Sequence, residues 1–401
     1  MAPTPRTPGP GAFRAVALAA LGIALFLGAL MLGDNAQDLH DGSHAGDTMS
    51  GMAHMAAGLG EPNLRRMFGW YPEPLFVAGA IVAVLAYAAG VRRLQRRGDR
   101  WPIVRTLAWL AGVATVLFAT SSGLAVYGNA LFSMHMIQHM ILSMLSPILL
   151  LLGAPITLTL RAVRPARRRA DGTPGRGPRE LLLALLHSRF SAIVSSPAVT
   201  LPLFIASLYV LYFTPLFDLV MGNMWGHRWM MVHFLVVGLL FFWPIMGIDP
   251  APRKHGYVMK MLELFAGMPF HAFFGVAVMM SSSPLVDAFE KPPASWGTDI
   301  LADQQLGGGI AWAFGEVPTV IVLLVIFSQW MNSEERLARR KDRAADRDGD
   351  AELDAYNAYL SRLARGRTPA PAAEREESAA SDTAAEDTAP VSEDSAAAPP
   401  R

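Results

Sequence analysis

Residues 134–155 read MHMIQHMILSMLSPILLLLGAP. Two imidazoles and three thioethers open a run apolar enough to enter a bilayer, and roughly 20 such residues in a helix span its ~30 Å of hydrocarbon. Ionisable side chains are costly in that medium, so a histidine within the run is a candidate functional residue by default. In a helix, His135 and His139 are four residues apart and share a face. Gln138, Leu142, Ser143 and Ser146 flank that stripe and make it mainly polar, so it must face other helices. Met136, Met140 and Met144 form a separate row about a quarter-turn round.

Working outward, the chain is 52% hydrophobic and only 17% charged, with its charges gathered in clusters, which excludes an ordinary soluble domain. The expected fold is an all-α, polytopic transmembrane helix bundle. Apolar runs near 13–33, 72–91, 102–122, 135–155, 196–217, 228–248, 260–283 and 309–331 suggest about eight spans. The first follows Arg6 and Arg14 and lacks a small-residue cleavage site directly after it, so 1–33 is read as an uncleaved signal-anchor. An outer His/Met-rich loop (34–71), a helical core (72–334), a basic segment with a short helix (335–366) and a disordered acidic tail (367–401) complete the expected organisation. The basic clusters RRLQRRGDR, RAVRPARRRADGTPGRGPR, PRKHGYVMK and EERLARRKDR fall on alternate loops, on the same side as the N-terminus. The positive-inside rule makes that side cytoplasmic, with both termini inside and the histidine-bearing start of span four at the outer face of a plasma-membrane protein.

Other histidines recur at similar depth. GNMWGHRWMMVHF opens the sixth span with His227 at the boundary and His233 about one and a half turns further in. In the seventh, Met268, His271, Gly275 and Met279 recur at three- or four-residue spacing on one face. TDILADQQLGGG is read as an outer loop presenting Asp303, Gln304 and Gln305, and Glu316 as a carboxylate within the eighth span, with a proton or cation role or a buried partner. The chain has no cysteine, so a soft metal would rest on its 10 histidines and 21 methionines. Imidazole and thioether without thiolate suit copper better than zinc. The tract HDGSHAGDTMSGMAHM, with His40, His44, Met49, Met52, His54 and Met55, could collect copper and pass it inward. The bland readings are gap-filling methionines, a plain linker, and histidines that only hydrogen-bond a neighbouring helix.

The order HMIQHMILSMLSPILLLLGAPITLTLR, HRWMMVHF, MPFHAFFGVAVM, ADQQLGGGIAWAFGE resembles the CtaG family of cytochrome c oxidase assembly factors, associated with caa3-type oxidases of Gram-positive bacteria, over roughly residues 70–365. The resemblance implies a multi-pass plasma-membrane protein that matures the haem-copper oxidase by supplying copper, with cytochrome c oxidase subunits as partners. Its matching positions here are His135, His139, His227, His233, His271, Asp303 and Gln304. GGGIAWAFGEVP after DQQ departs from the commoner family pattern, which sets Glu316 apart. Abundant Ala, Arg, Gly and Pro with few lysines is what a GC-rich actinobacterial genome would produce.

Two classes of function follow. The first is a copper-handling assembly factor, a chaperone and not an enzyme, or its variant, a copper-uptake permease with Met268, His271 and Met279 as stepping ligands. The second is a membrane b-type haem protein with histidines such as His139 and His233 as axial ligands. A purely structural scaffold is the third possibility. Membrane lipid is an expected partner in each case; nucleic acid is not.

Overall fold

The computed structural model describes residues 58–166, 175, 177–222, 224–252, 255–290, 292–348 and 351–367. The N-terminal span at 13–33, the tract from His40 to Met55 and the acidic tail from 368 lie outside the described residues. Among the described residues the regular structure is helical and contains no β-strand. Two units are distinguished, one up to Trp330 and one from Met331.

In the first unit, α1 (Pro74–Arg96) and α2 (Ile103–Ser121) precede a long interrupted helix. That helix comprises α3 (Phe132–Met140), a π-helical turn (Ile141–Leu145), α4 (Ser146–Leu152) and, after a break, α5 (Pro155–Ala162). Short helices α6 (Pro178–Leu186) and α7 (Arg189–Val194) lead to α8 (Pro197–Tyr212), and α9 (Leu216–Met221) precedes α10 (Met224–Met246). Then come α11 (Tyr257–Met280) and α12 (Ile300–Asp348), the last of which runs on into the second unit. The second unit also contains α13 (Ala351–Arg367). Several helices start with proline at the first position, namely Pro74, Pro155, Pro178 and Pro197, where its missing N–H leaves nothing unsatisfied and its φ is preset for a helix.

Six helices among the described residues are long and apolar enough to cross a membrane: α1, α2, the α3–α5 run, α10, α11 and α12. The expected fifth span is α8, which at 16 residues reaches about 24 Å and falls short of the hydrocarbon thickness. It stops because Thr214-Pro215 breaks it, with the Thr214 hydroxyl accepting the Leu216 N–H at 3.3 Å to start α9. The expected loop at TDILADQQLGGG is instead the start of α12. Asp299 Oδ1 accepts the N–H groups of Leu301 and Ala302 at 3.0 and 3.1 Å, capping the helix nine residues before its apolar run begins.

The centre of the unit is the α3–α5 run, packed against α2 and α10. Pro147 has no N–H to offer the Ser143 carbonyl, and the chain widens into the π-helical turn over these residues. Gly238 of α10 rests directly on the Ser143 carbonyl, where any Cβ would collide. Below it, Gly153 and the left-handed Ala154 (φ 50°) break the helix before Pro155, which disfavours a helical residue ahead of it. Tyr87 donates its hydroxyl to the freed Gly153 carbonyl at 2.9 Å, and Trp101 donates to the Tyr87 oxygen at 3.0 Å. Gly275 of α11 and Gly308 of α12 abut so closely that a Cβ on either would stand 2.7–2.8 Å from the other's carbonyl oxygen. Met136, Met140 and Met144 are wholly buried core residues.

The α11–α12 contact generates a direct comparison. Gly275→Leu should lower the melting temperature of the detergent-purified protein by an amount corresponding to about 1–3 kcal/mol of overpacking. Gly309→Leu, where a Cβ meets open space, should leave it unchanged or slightly raised.

Candidate metal centre

His135 and His139 occupy successive turns of α3, as their spacing requires, and their ring centroids are 4.1 Å apart. The first turn of α10 adds His227, whose ring lies 5.5 Å from that of His135. All three are buried, and one nitrogen of each lies within 4.8 Å of the others. Three nitrogens about 2.0 Å from one ion stand about 3.3–3.5 Å apart, so a pair at the full 4.8 Å would close by about 1.3–1.5 Å to share it.

The outer nitrogens of the α3 pair are held from behind. His135 Nδ1 is 3.0 Å from the Gly128 carbonyl oxygen. That oxygen only accepts, so Nδ1 carries the proton and Nε2 presents a lone pair. His139 Nδ1 is 3.0 Å from the Tyr212 hydroxyl, contributed by α8. The Nε2 atoms of His135, His139 and His227 are all buried without a hydrogen-bond partner. An orphaned buried polar atom costs about 1–3 kcal/mol, and three in one spot is the donor set that a metal ion would satisfy.

Neighbouring groups account for the positions of these rings. Ser133, in the first turn of α3, donates its hydroxyl to Asp303, and its N–H donates to the same carboxylate at 3.3 Å. Gln304 accepts the Leu285 N–H at 2.8 Å and donates to the Ser283 carbonyl at 3.3 Å, pinning the α11–α12 connection. That connection carries Phe289, which with Phe217 of α9 covers His135 at centroid distances of 5.2 and 5.3 Å. On α10, Gly226 lets the backbone press onto the Val220 carbonyl, and Arg228 pairs with Glu73 at 2.7 Å beside the start of α1. Gln138 donates to Met231 Sδ at 3.0 Å.

The other expected site residues are placed elsewhere. His233 is exposed and shares a hydrogen bond with Ser207 at 2.9 Å, outside the trio. His271 is buried, 5.2 Å from the ring of Phe204 and against Gly315, outside the trio. Met268 is half-buried and Met279 is partly exposed. Asp303 and Gln304 are hydrogen-bonding positioners in a helix, not groups presented by an outer loop. Glu316 accepts from the Trp312 indole on its own helix.

Two carboxylates escaped the sequence reading. Asp249, buried, accepts the N–H groups of Ile156 and Thr157 at 3.0 and 2.7 Å and the Thr157 hydroxyl at 2.6 Å, capping α5. Glu263 of α11 is buried with Thr200 donating to it at 2.7 Å. Its isolation in an apolar run was a visible signal, but an apolar neighbourhood does not disclose a threonine 63 residues away.

The fold and centre together define a polytopic helical membrane protein with three inward-facing histidines. The family model described as cytochrome c oxidase caa3 assembly factor matches residues 85–333, and the chain belongs to that family. Uncharacterised proteins of Mycobacterium bovis and Mycobacterium tuberculosis are each 48% identical over 300 residues, covering 74% of this chain and 45% of theirs. One from Mycobacterium leprae is 46% identical over 309 residues, covering 76% of this chain and 46% of its own. The chain thus spans less than half the length of these curated relatives. No solved structure matches it.

Asp303→Ala should destabilise the protein by about 1–2 kcal/mol, because two donors at the α3 N-terminus lose their acceptor. Thermal unfolding in detergent checks this, with Glu316→Ala as the milder comparison, since its described partner is one indole on the same helix.

Proposed function

We propose that this chain is an integral membrane assembly factor for haem-copper cytochrome c oxidase, in which His135, His139 and His227 hold copper as cargo. The observation that carries the reading is the convergence of three buried imidazoles, each with an unpartnered Nε2. Family membership supports the oxidase as recipient. The donor set fits the cargo: neutral imidazoles without thiolate suit a copper ion held reversibly. Gly128 and Tyr212 keep the Nδ1 side of the α3 pair engaged, so that each Nε2 is directed at the ion. Release then needs ligand exchange with a recipient subunit and no redox-active thiol.

The six long helices, α8 and the apolar run at 13–33 together support an eight-span arrangement. The basic clusters support an orientation with the histidine centre toward the outer face of the plasma membrane and both termini inside. In that arrangement the tract from His40 to Met55 shares the outer side with the centre and would deliver copper to it.

The test is the copper retained by detergent-purified protein after anaerobic Cu(I) loading and a chelator wash. Wild type should keep about one ion at this centre, and His135→Ala, His139→Ala and His227→Ala should each lose it while remaining folded. Tyr212→Phe should weaken retention about 10- to 100-fold through loss of the group behind His139. Equal copper in all variants would sink the proposal.

A further inference from the structure

A pocket of about 530 Å³ lies where the C-terminus of α1 meets the segment after α5 and the start of α6. It is lined by Arg93, Arg96, Arg97, Arg164, Val163 and Pro178. Arg97 donates to the Arg161 carbonyl at 3.1 Å, which fixes its guanidinium. The nearby acids are engaged elsewhere: Asp99 stands 3.8 Å from Arg161, and Glu180 accepts the Ala166 N–H at 3.0 Å. Among the described residues no carboxylate lies within ion-pair distance of the four lining arginines.

Basic residues at a helix C-terminus complement its dipole, which explains an arginine or two on α1. The positive-inside rule places basic residues in both of these loops, but neither rule calls for four exposed arginines from two separate segments to line one recess without a carboxylate among them, an arrangement that favours a bound anion. The surroundings indicate which anion. Pro178, in the pocket wall, opens α6, which exposes Leu181 (73%) and Leu185, and α7 beyond it exposes Phe190 and Ile193. Exposed apolar side chains beside a basic pocket match a membrane interface, with a headgroup among the arginines and acyl chains along the leucines. A soluble phosphate would make no use of the apolar side.

We infer that this pocket binds the phosphate headgroup of an anionic phospholipid, at the end of the molecule that carries the basic clusters. The inference is independent of the copper reading and uses only the membrane-spanning character of the chain.

The experiment measures lipid retained by the full chain, delipidated in detergent and then titrated with phosphatidylglycerol or phosphatidylcholine, with and without excess inorganic phosphate. Wild type should hold phosphatidylglycerol at least tenfold more tightly than phosphatidylcholine. Each of Arg93→Gln, Arg96→Gln and Arg164→Gln should lower that affinity about fivefold, and Arg362→Gln on α13 should not. Should any one of these variants fail to fold, the remaining ones must still show the loss. Equal retention of the two lipids, undiminished binding in the variants, or displacement of the lipid by inorganic phosphate would each overturn the assignment.

Discussion

Hydrocarbon contains no water, so every polar group carried into a bilayer must find its partner within the protein. That constraint organises this bundle. Asp303 takes the donors at the start of α3, Gln304 bridges the α11–α12 connection, Asp249 caps α5, and Tyr87 covers the carbonyl released where α4 ends. Other buried side-chain atoms, Trp109 Nε1, Asn129 Oδ1 and Trp243 Nε1 among them, also lack a partner, but the unpartnered Nε2 atoms of His135, His139 and His227 belong to three imidazoles within reach of one another. Their exposure to each other is the chemical content of the site.

Close helix contact brings those nitrogens together. His135 and His139 need only one helix, but His227 arrives from α10, whose approach depends on Gly226 against Val220 and Gly238 against Ser143. The Glu73–Arg228 pair then ties the residue after His227 to the start of α1. Behind the rings, Gly128 is close enough to Gln138 that a side chain would intrude there. Small residues and fixed charges around the site thus determine which imidazoles meet.

The helical, membrane-spanning class was legible from apolar run lengths, and the His135–His139 pair from its four-residue spacing, because both are local properties. The third member was not separable from its rivals. His227, His233 and His271 all stand in or at the boundary of apolar segments, and spacing reports the face of a helix without its neighbour. His233 faces Ser207 and His271 faces Phe204, choices made by packing between distant segments. Asp303 and Gln304 read as loop residues because polarity near a span end resembles a surface; the capping at Asp299 and the partners on α3 and beyond α11 made them helical and inward-facing. Asp249 and Glu263 were missed for the same reason, since their partners Thr157 and Thr200 lie 92 and 63 residues away.

The π-helical turn at Ile141–Leu145 divides one membrane helix into two segments whose faces are out of phase. A residue added to an α-helix rotates everything beyond it by about 100°, and a π turn absorbs such an addition locally. The histidine-bearing segment can therefore aim at α8 and α10 while the leucine-rich segment below keeps its own alignment with α2. Sequence change in one half does not have to be matched in the other. The chemistry of the centre and the anchoring of the helix are in this sense separately adjustable, with the boundary between them at Pro147 and the π-helical turn before it.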